Sequence, residues 1–169
     1  MLTCREVMRP TTTPLYVDDP VARAIDFVLT RHMGLVPVVD RQERFVGFLS
    51  GERLMRALLP KHLTMVRGLD RMGYLRESQE ELRERLDGLE QRPIGEVMDP
   101  RAEVVHPDTP LIEAQTILAG TQFVVPVVDP DSGRLLGAIS FFTILALLRG
   151  EPSWSERLEN DGQAEGTGA

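Results

Sequence analysis

Cys4 is the only cysteine in the 169-residue chain, so no disulfide can form within it and the fold must rest on an apolar core. A chain of this length buries roughly 70% of its unfolded surface, which is enough to fold unaided. No signal peptide precedes Cys4, which makes a cytoplasmic location and a small apolar filling role the expectations for this thiol. Long apolar runs are missing as well. The longest, Leu135 to Leu148, is interrupted by Gly137, Ser140 and Thr143 and is too short to cross a bilayer, so membrane insertion is not expected. Basic residues are in deficit, 19 against 26 acidic, for a formal charge of −7. That balance argues against a duplex nucleic-acid partner, whose affinity comes mainly from phosphate neutralisation. Arg5 and Arg9, or Arg31 and His32, could make a local basic patch, but scattered surface charge is the stronger reading.

Signatures of catalysis are lacking too. His32, His62 and His106 have neither HxxxH nor HxH spacing and no CxxC companion, so no metal site is expected. No phosphate-cradling GxxxxGK[ST] or GxGxxG is present, and no GxSxG nucleophile turn. Asp129 and Asp131 could open a calcium loop, but Pro130 and the absence of a downstream Glu make them a turn. The expectation is a protein that is not an enzyme.

What the chain does contain is a duplication. Adding 90 to the residue number carries Glu6-Val7-Met8 onto Glu96-Val97-Met98, Pro10 onto Pro100, Asp18 onto Asp108, Pro20 onto Pro110 and Ala24 onto Ala114. After a one-residue deletion, Val36 to Asp40 returns as Val125 to Asp129, and Arg44, Gly47 and Ser50 match Arg134, Gly137 and Ser140. The chain divides into repeat 1 (1–59), a helical connection (60–92), repeat 2 (93–150) and a polar tail (151–169). Units this short seldom bury a sufficient core alone, so the copies are expected to pack together by a pseudo-twofold, leaving clefts between them.

Period and punctuation give the order of elements. A helical turn near Thr3 to Met8 leads to an extended piece at Leu15 to Val17, and Asp18-Asp19-Pro20 opens a helix whose Val21, Ala24, Ile25, Val28 and Leu29 share one face. Leu35 to Val39 is a β-branched apolar run with the pattern of a strand buried on both faces. Phe45 to Ser50 is a second strand, with Gly47 marking a close backbone approach, and Arg53 to Leu59 is a closing helix. The second copy repeats the order: Asp108 and Pro110 start a helix, Val124 to Val128 and Leu135 to Ser140 are strands about the Asp131-Ser132-Gly133 turn, and Phe141 to Arg149 is the last helix, stopped by Gly150 and Pro152. The fold class is α/β, two tandem β-α-β-β-α units.

In the connection, Met72, Leu75, Leu82, Leu86 and Leu89 make a narrow apolar stripe, and Ser78 with Glu81 can form a capping box that moves the helix start later. The stripe suits either packing on the module itself or contact with a second copy. Trp154 and Leu158 mark a short turn, and Glu159 to Ala169 has a disordered composition.

Val7-Met8 with Val97-Met98, the Val-Pro-Val-Val-Asp strands, and the Gly-apolar-apolar-Ser segments Gly47 to Ser50 and Gly137 to Ser140 resemble the cystathionine-β-synthase-type (CBS) domain, used twice as in a Bateman module. The resemblance implies a stand-alone regulatory module that senses an adenosyl compound (AMP, ADP, ATP or S-adenosylmethionine), requires no cofactor, pairs into a disc-like homodimer and modulates an unidentified protein. It also implies two clefts. One takes Thr3, Val7, Met33 and Gly34 with Ser140 and Thr143; its mirror takes Pro93, Val97, Gln122 and Phe123 with Ser50 and Arg53.

Nucleotide-binding relatives commonly carry an Asp three places after the Ser, where it accepts from both ribose hydroxyls. Here that position holds Thr143 in one copy and Arg53 in the other. Arginine has only donors, so Arg53 suits a surface ion pair, with Glu52 or another acid, or a phosphate tail; Thr143 keeps one neutral acceptor. The alternative function is a dimerisation or interaction scaffold whose nucleotide sites have degenerated.

Overall fold

The computed structural model of the chain describes residues 1–11, 13–31, 34–60 and 77–151. Readings that rest on His32, Met33, His62, Met72, Leu75, Trp154, Leu158 and the 159–169 tail lie outside the described residues. In chain order the elements are α1 (Cys4–Val7), β1 (Arg9–Pro10), β2 (Leu15–Tyr16), α2 (Val21–Arg31), β3 (Leu35–Val39), β4 (Phe45–Ser50), α3 (Gly51–Leu58), α4 (Gln79–Glu90), a 3-10 turn (Ile94–Glu96), α5 (Leu111–Gly120), β5 (Val124–Val128), β6 (Leu135–Ser140) and α6 (Phe141–Leu148). The result is mixed α/β with one set of elements used twice.

The compact units do not follow the order of the repeats. Unit 1 joins Met1–Pro14 and Arg41–Phe45 to Arg101–Ala169, whereas unit 2 joins Leu15–Asp40 to Val46–Pro100. Each repeat therefore keeps its two longer helices and its buried strand but lends its leading segment to the other repeat's unit, and repeat 1 also lends Arg41–Phe45. In unit 1 the sheet order is β1-β6-β5, with β1 antiparallel to β6 (Arg9 opposite Ala138, Pro10 opposite Gly137) and β5 antiparallel to β6. In unit 2 the order is β2-β3-β4, with β2 parallel to β3.

The exchange is made by the same backbone bonds on both sides. In unit 1 the Cys4 amide donates to the Thr109 carbonyl at 2.9 Å, Arg5 to Pro107 at 2.9 Å, and Leu111 back to Leu2 at 3.0 Å. In unit 2 the positions 90 residues away repeat them: Ile94 to Asp19 at 2.9 Å, Gly95 to Val17 at 2.8 Å, and Val21 to Arg92 at 2.8 Å. These bonds satisfy amides at the free ends of α1, α2, α5 and the 3-10 turn, which would otherwise be orphaned against a core. Burial follows the same exchange. Val7 lies in the core of unit 1 with Val105, Leu111, Ala114, Val125, Val127, Ile139 and Ile144, and Val97 in that of unit 2 with Leu15, Val21, Ala24, Val36, Val38 and Leu49. Met8 and Met98 pack at the rims of these two cores.

Two glycines make room for the exchanged segments. A Cβ on Gly47 would sit 2.4 Å from the Asp99 carbonyl oxygen, and one on Gly137 would sit 2.5 Å from that of Arg9. Both obstacles are backbone, the first held by the Asp99–Phe48 bridge and the second in the β1–β6 ladder, so neither can swing aside. The close approach expected at Gly47 is therefore present, and Gly137 repeats it.

Local chemistry accounts for the helix ends. The Ser50 hydroxyl accepts from the Arg53 amide at 3.1 Å, which starts α3 at Gly51 instead of Arg53. Ser78 and Glu81 form the expected capping box: the Ser78 amide donates to the Glu81 carboxylate at 2.8 Å and the Glu81 amide to the Ser78 hydroxyl at 3.1 Å. From that start α4 packs against α2 and α3, with Leu89 buried and Leu82 left exposed. At the end of α6, Gly150 takes a left-handed φ of 73°, so that its amide reaches the Leu147 carbonyl at 2.9 Å and the Glu151 amide that of Ala146 at 3.0 Å.

Replacing Gly47 or Gly137 by Ala is expected to destabilise the chain by about 1–3 kcal/mol, the usual cost of forced overpacking. Gly88→Ala, in α4 with open space around its Cβ position, is expected to add up to about 1 kcal/mol. Urea titrations of the three variants measure both signs; no loss in the first two would refute the close-approach argument.

Candidate functional site

The exchange brings the leading turn of one repeat into the same unit as the closing helix of the other. In unit 1 this unites Thr3 and Val7 with Ser140 and Thr143, since α1 packs against both α5 and α6. The Thr3 amide donates to the Glu6 carboxylate at 2.7 Å and the Thr3 hydroxyl to the same oxygen at 3.1 Å. These bonds, the backbone one first, hold the Glu6 carboxyl below its ordinary pKa. Thr143 is buried, and its hydroxyl accepts from the Ser140 amide at 3.0 Å and donates to the Ser140 carbonyl at 2.8 Å. A hydroxyl has one donor and two lone pairs. Capping α6 uses the donor and one lone pair, so Thr143 keeps a single acceptor position.

Unit 2 holds the mirror set, Ser50, Arg53, Pro93 and Val97, with a different chemistry. Arg53 Nη2 lies 3.0 Å from Asp99 Oδ2, each side chain being about one-third exposed. Glu52, the acid adjacent in sequence, pairs with Arg56 at 2.8 Å. The Ser50 hydroxyl is the cap of α3, Val97 is buried in the core, and Pro93 is exposed at the start of the 3-10 turn. Asp99 went unrecognised in the sequence because it stands 46 residues from Arg53 along the chain. Its one signal was position, since it follows Met98 in the exchanged segment.

The remaining candidates fall in the opposite units. Gly34 belongs to unit 2, where its carbonyl accepts from the Gly51 amide at 2.8 Å beside the cap of α3. Met33 is outside the described residues. Gln122 and Phe123 belong to unit 1, just before β5, whose Val124 stands opposite Ser140. The Gln122 amide nitrogen donates to the Glu103 carbonyl at 3.1 Å and to the Val124 carbonyl at 3.0 Å, and its oxygen accepts from the Glu103 amide. Gln122 thus clasps the loop before Val105 to the strand, with both amide protons engaged. Phe123 is 82% exposed and presents an aromatic face to solvent.

Other polar groups serve the fold. Burial pushes the Cys4 thiol up to about 11, with a smaller contribution from Glu113, so the thiol is neutral and inert as a nucleophile at neutral pH. Asp129 accepts from the amides of Ser132 at 2.8 Å and Asp131 at 2.9 Å, which lowers its pKa and makes it the anchor of the β5–β6 turn. Among the described residues no group of three or more His, Cys, Asp or Glu is placed to hold a metal ion, and no helix is long and apolar enough to cross a membrane.

Two α/β units, each completed by the other repeat's leading segment and each closing a capped helix start against it, define a tandem module. The sequence profile of the CBS domain matches residues 4–60 and 94–150, and the chain belongs to that family. No curated protein matches it. Among solved structures, CBSX2 from Arabidopsis thaliana is 24% identical, with a TM-score of 0.66 over 87% of this chain and 94% of that one. A crystal structure of CBSX2 in complex with AMP is 24% identical, with a TM-score of 0.64 over 88% of this chain and 98% of that one. A CBS domain-containing protein of unknown function from Bacillus anthracis str. Ames Ancestor is 16% identical, with a TM-score of 0.66 over 89% and 95%. At these identities the likeness is one of fold.

Proposed function

We propose that the chain is a regulatory sensor of an adenosyl compound, with the ligand held by residues of both repeats and its occupancy altering the activity of a partner protein. The observation that carries this reading is the assembly, inside unit 1, of Thr3 and Val7 from repeat 1 with Ser140 and Thr143 from repeat 2. A ligand touching both segments binds most tightly when they are docked, and so shifts the population of docked states. The AMP complex of a structure sharing this fold supports the ligand class. The set with Thr143 is the favoured site, because its helix position keeps a neutral acceptor where the other has a guanidinium.

Thermal shift and calorimetry with AMP, ADP, ATP and S-adenosylmethionine test the reading. A ligand at 100 times its Kd adds about 2.7 kcal/mol, or roughly 5–11 °C for a chain of this size. Thr143→Asp, which restores a carboxylate able to accept two ribose hydroxyls, is expected to tighten a ribose-bearing ligand about tenfold or more. No response to any of the four compounds, in either protein, would remove the sensor reading. It would leave the scaffold, which is favoured by one observation: the Thr3, Ser50 and Thr143 hydroxyls all serve helix caps.

We further propose that the chain pairs with a second copy through α6. Phe141, Phe142, Leu145 and Leu148 are each at least half exposed there, whereas the equivalent positions on α3 are Gly51, Glu52, Met55 and the half-buried Leu58. Light scattering should show a dimer that Phe142→Asp with Leu145→Asp converts to monomer; a monomeric parent chain would refute the pairing.

A further inference from the structure

We propose that Asp99 is a specificity-determining residue that latches Arg53 against phosphate-bearing ligands and so makes the two repeat-related ligand positions unequal. The inference rests on the reading of these positions as ligand sites, and it adds which of them a phosphorylated compound can use.

The latch is fixed at both ends. On one side, Arg53 is in the first turn of α3, its own amide bonded to the Ser50 hydroxyl at 3.1 Å. On the other, Asp99 is pinned by two backbone bonds: its amide donates to the Phe48 carbonyl at 2.7 Å and its carbonyl accepts from the Phe48 amide at 2.9 Å. The bare Cα of Gly47 lets that pairing form, because a Cβ there would meet the Asp99 carbonyl at 2.4 Å. Between these anchors the carboxylate and guanidinium stand 3.0 Å apart. An ordinary surface ion pair spends side-chain entropy to form and gains little. Here the backbone positions are set by the fold, so the pair is preformed and an incoming phosphate must displace it.

Displacement is opposed twice. A guanidinium binds phosphate and carboxylate through the same forked donors, so the two compete for Arg53. Asp99 also repels any anion that approaches its partner. The equivalent positions in the other half are Thr143 for Arg53 and Arg9 for Asp99, so neither carries a carboxylate. A phosphorylated ligand is therefore directed to the half with Thr143, one per chain, and the Arg53 half is held in reserve or left to uncharged ligands.

Titration calorimetry with inorganic pyrophosphate tests this on the full chain, on Asp99→Asn and on the double variant Arg53→Gln, Asp99→Asn. The two bonds from residue 99 to Phe48 are backbone bonds, so the amide replacement keeps them; Asp99→Ser is measured alongside, so that a fault peculiar to one side chain does not decide the result. Asp99→Asn and Asp99→Ser are expected to bind pyrophosphate about tenfold or more tightly than the parent chain, and the double variant to lose that gain. Equal affinity in parent and single variants, or a gain that survives loss of Arg53, overturns the latch. AMP read in parallel separates the two proposals. If AMP, with the other adenosyl compounds, fails to bind any variant while the pyrophosphate gain stands, the sensor reading falls and the latch does not.

Discussion

A peptide carbonyl resting on the bare Cα of a glycine, once in each half, is the contact on which the rest of this structure depends. Asp99 lies against Gly47 and Arg9 against Gly137, at distances that leave no space for a methyl group. That approach lets the leading segment of each repeat run beside the second strand of the other. With the segment seated, Val7 and Val97 fill the opposite cores and the free amides of four helical elements find carbonyls. Neither repeat is complete by itself, which is why a unit too short to bury its own core is stable when duplicated.

The same exchange explains how one scaffold carries two different chemistries. Residues 90 apart occupy equivalent places, so the frame is conserved within the chain while its polar groups diverge. Thr143 closes its own helix cap with a hydroxyl; Arg53 reaches across to a carboxylate on the exchanged segment. One half is left with a neutral acceptor, the other with a neutralised ion pair. A duplicated module can in this way devote one position to a ligand and keep the other for stability or for a second ligand of different charge.

Much of the frame was legible in the sequence because it is written in local signals. The β-branched runs Leu35–Val39 and Val124–Val128 are strands, the three-four spacing after Pro20 is a helix, and the Ser78 to Glu81 cap set the start of α4. Gly47 pointed to a close approach because a glycine within an apolar strand has few other uses. The exchange was not legible in the residues' own pattern, which does not say which of two similar copies a segment joins; only the family resemblance paired each leading turn with the other repeat's closing helix. Two-residue β1 is a strand only because β6 accepts it, and nothing in Arg9-Pro10 signals that. At the site, residue types could be chosen by position but not by what they bond. Gln122, placed in the second cleft by the resemblance, also clasps two stretches of backbone, which its residue type does not signal, and the acid that answers Arg53 is Asp99 rather than its neighbour Glu52.

Nuclear Overhauser contacts in uniformly labelled protein measure the exchange directly. Cross-peaks from Arg9 to Ala138 and from Asp99 to Phe48, together with Cys4 to Thr109 and Ile94 to Asp19, are the result expected from the exchanged segments. Cross-peaks from Arg9 to Phe48 and from Asp99 to Ala138, each leading segment folding back on its own repeat, would contradict the account.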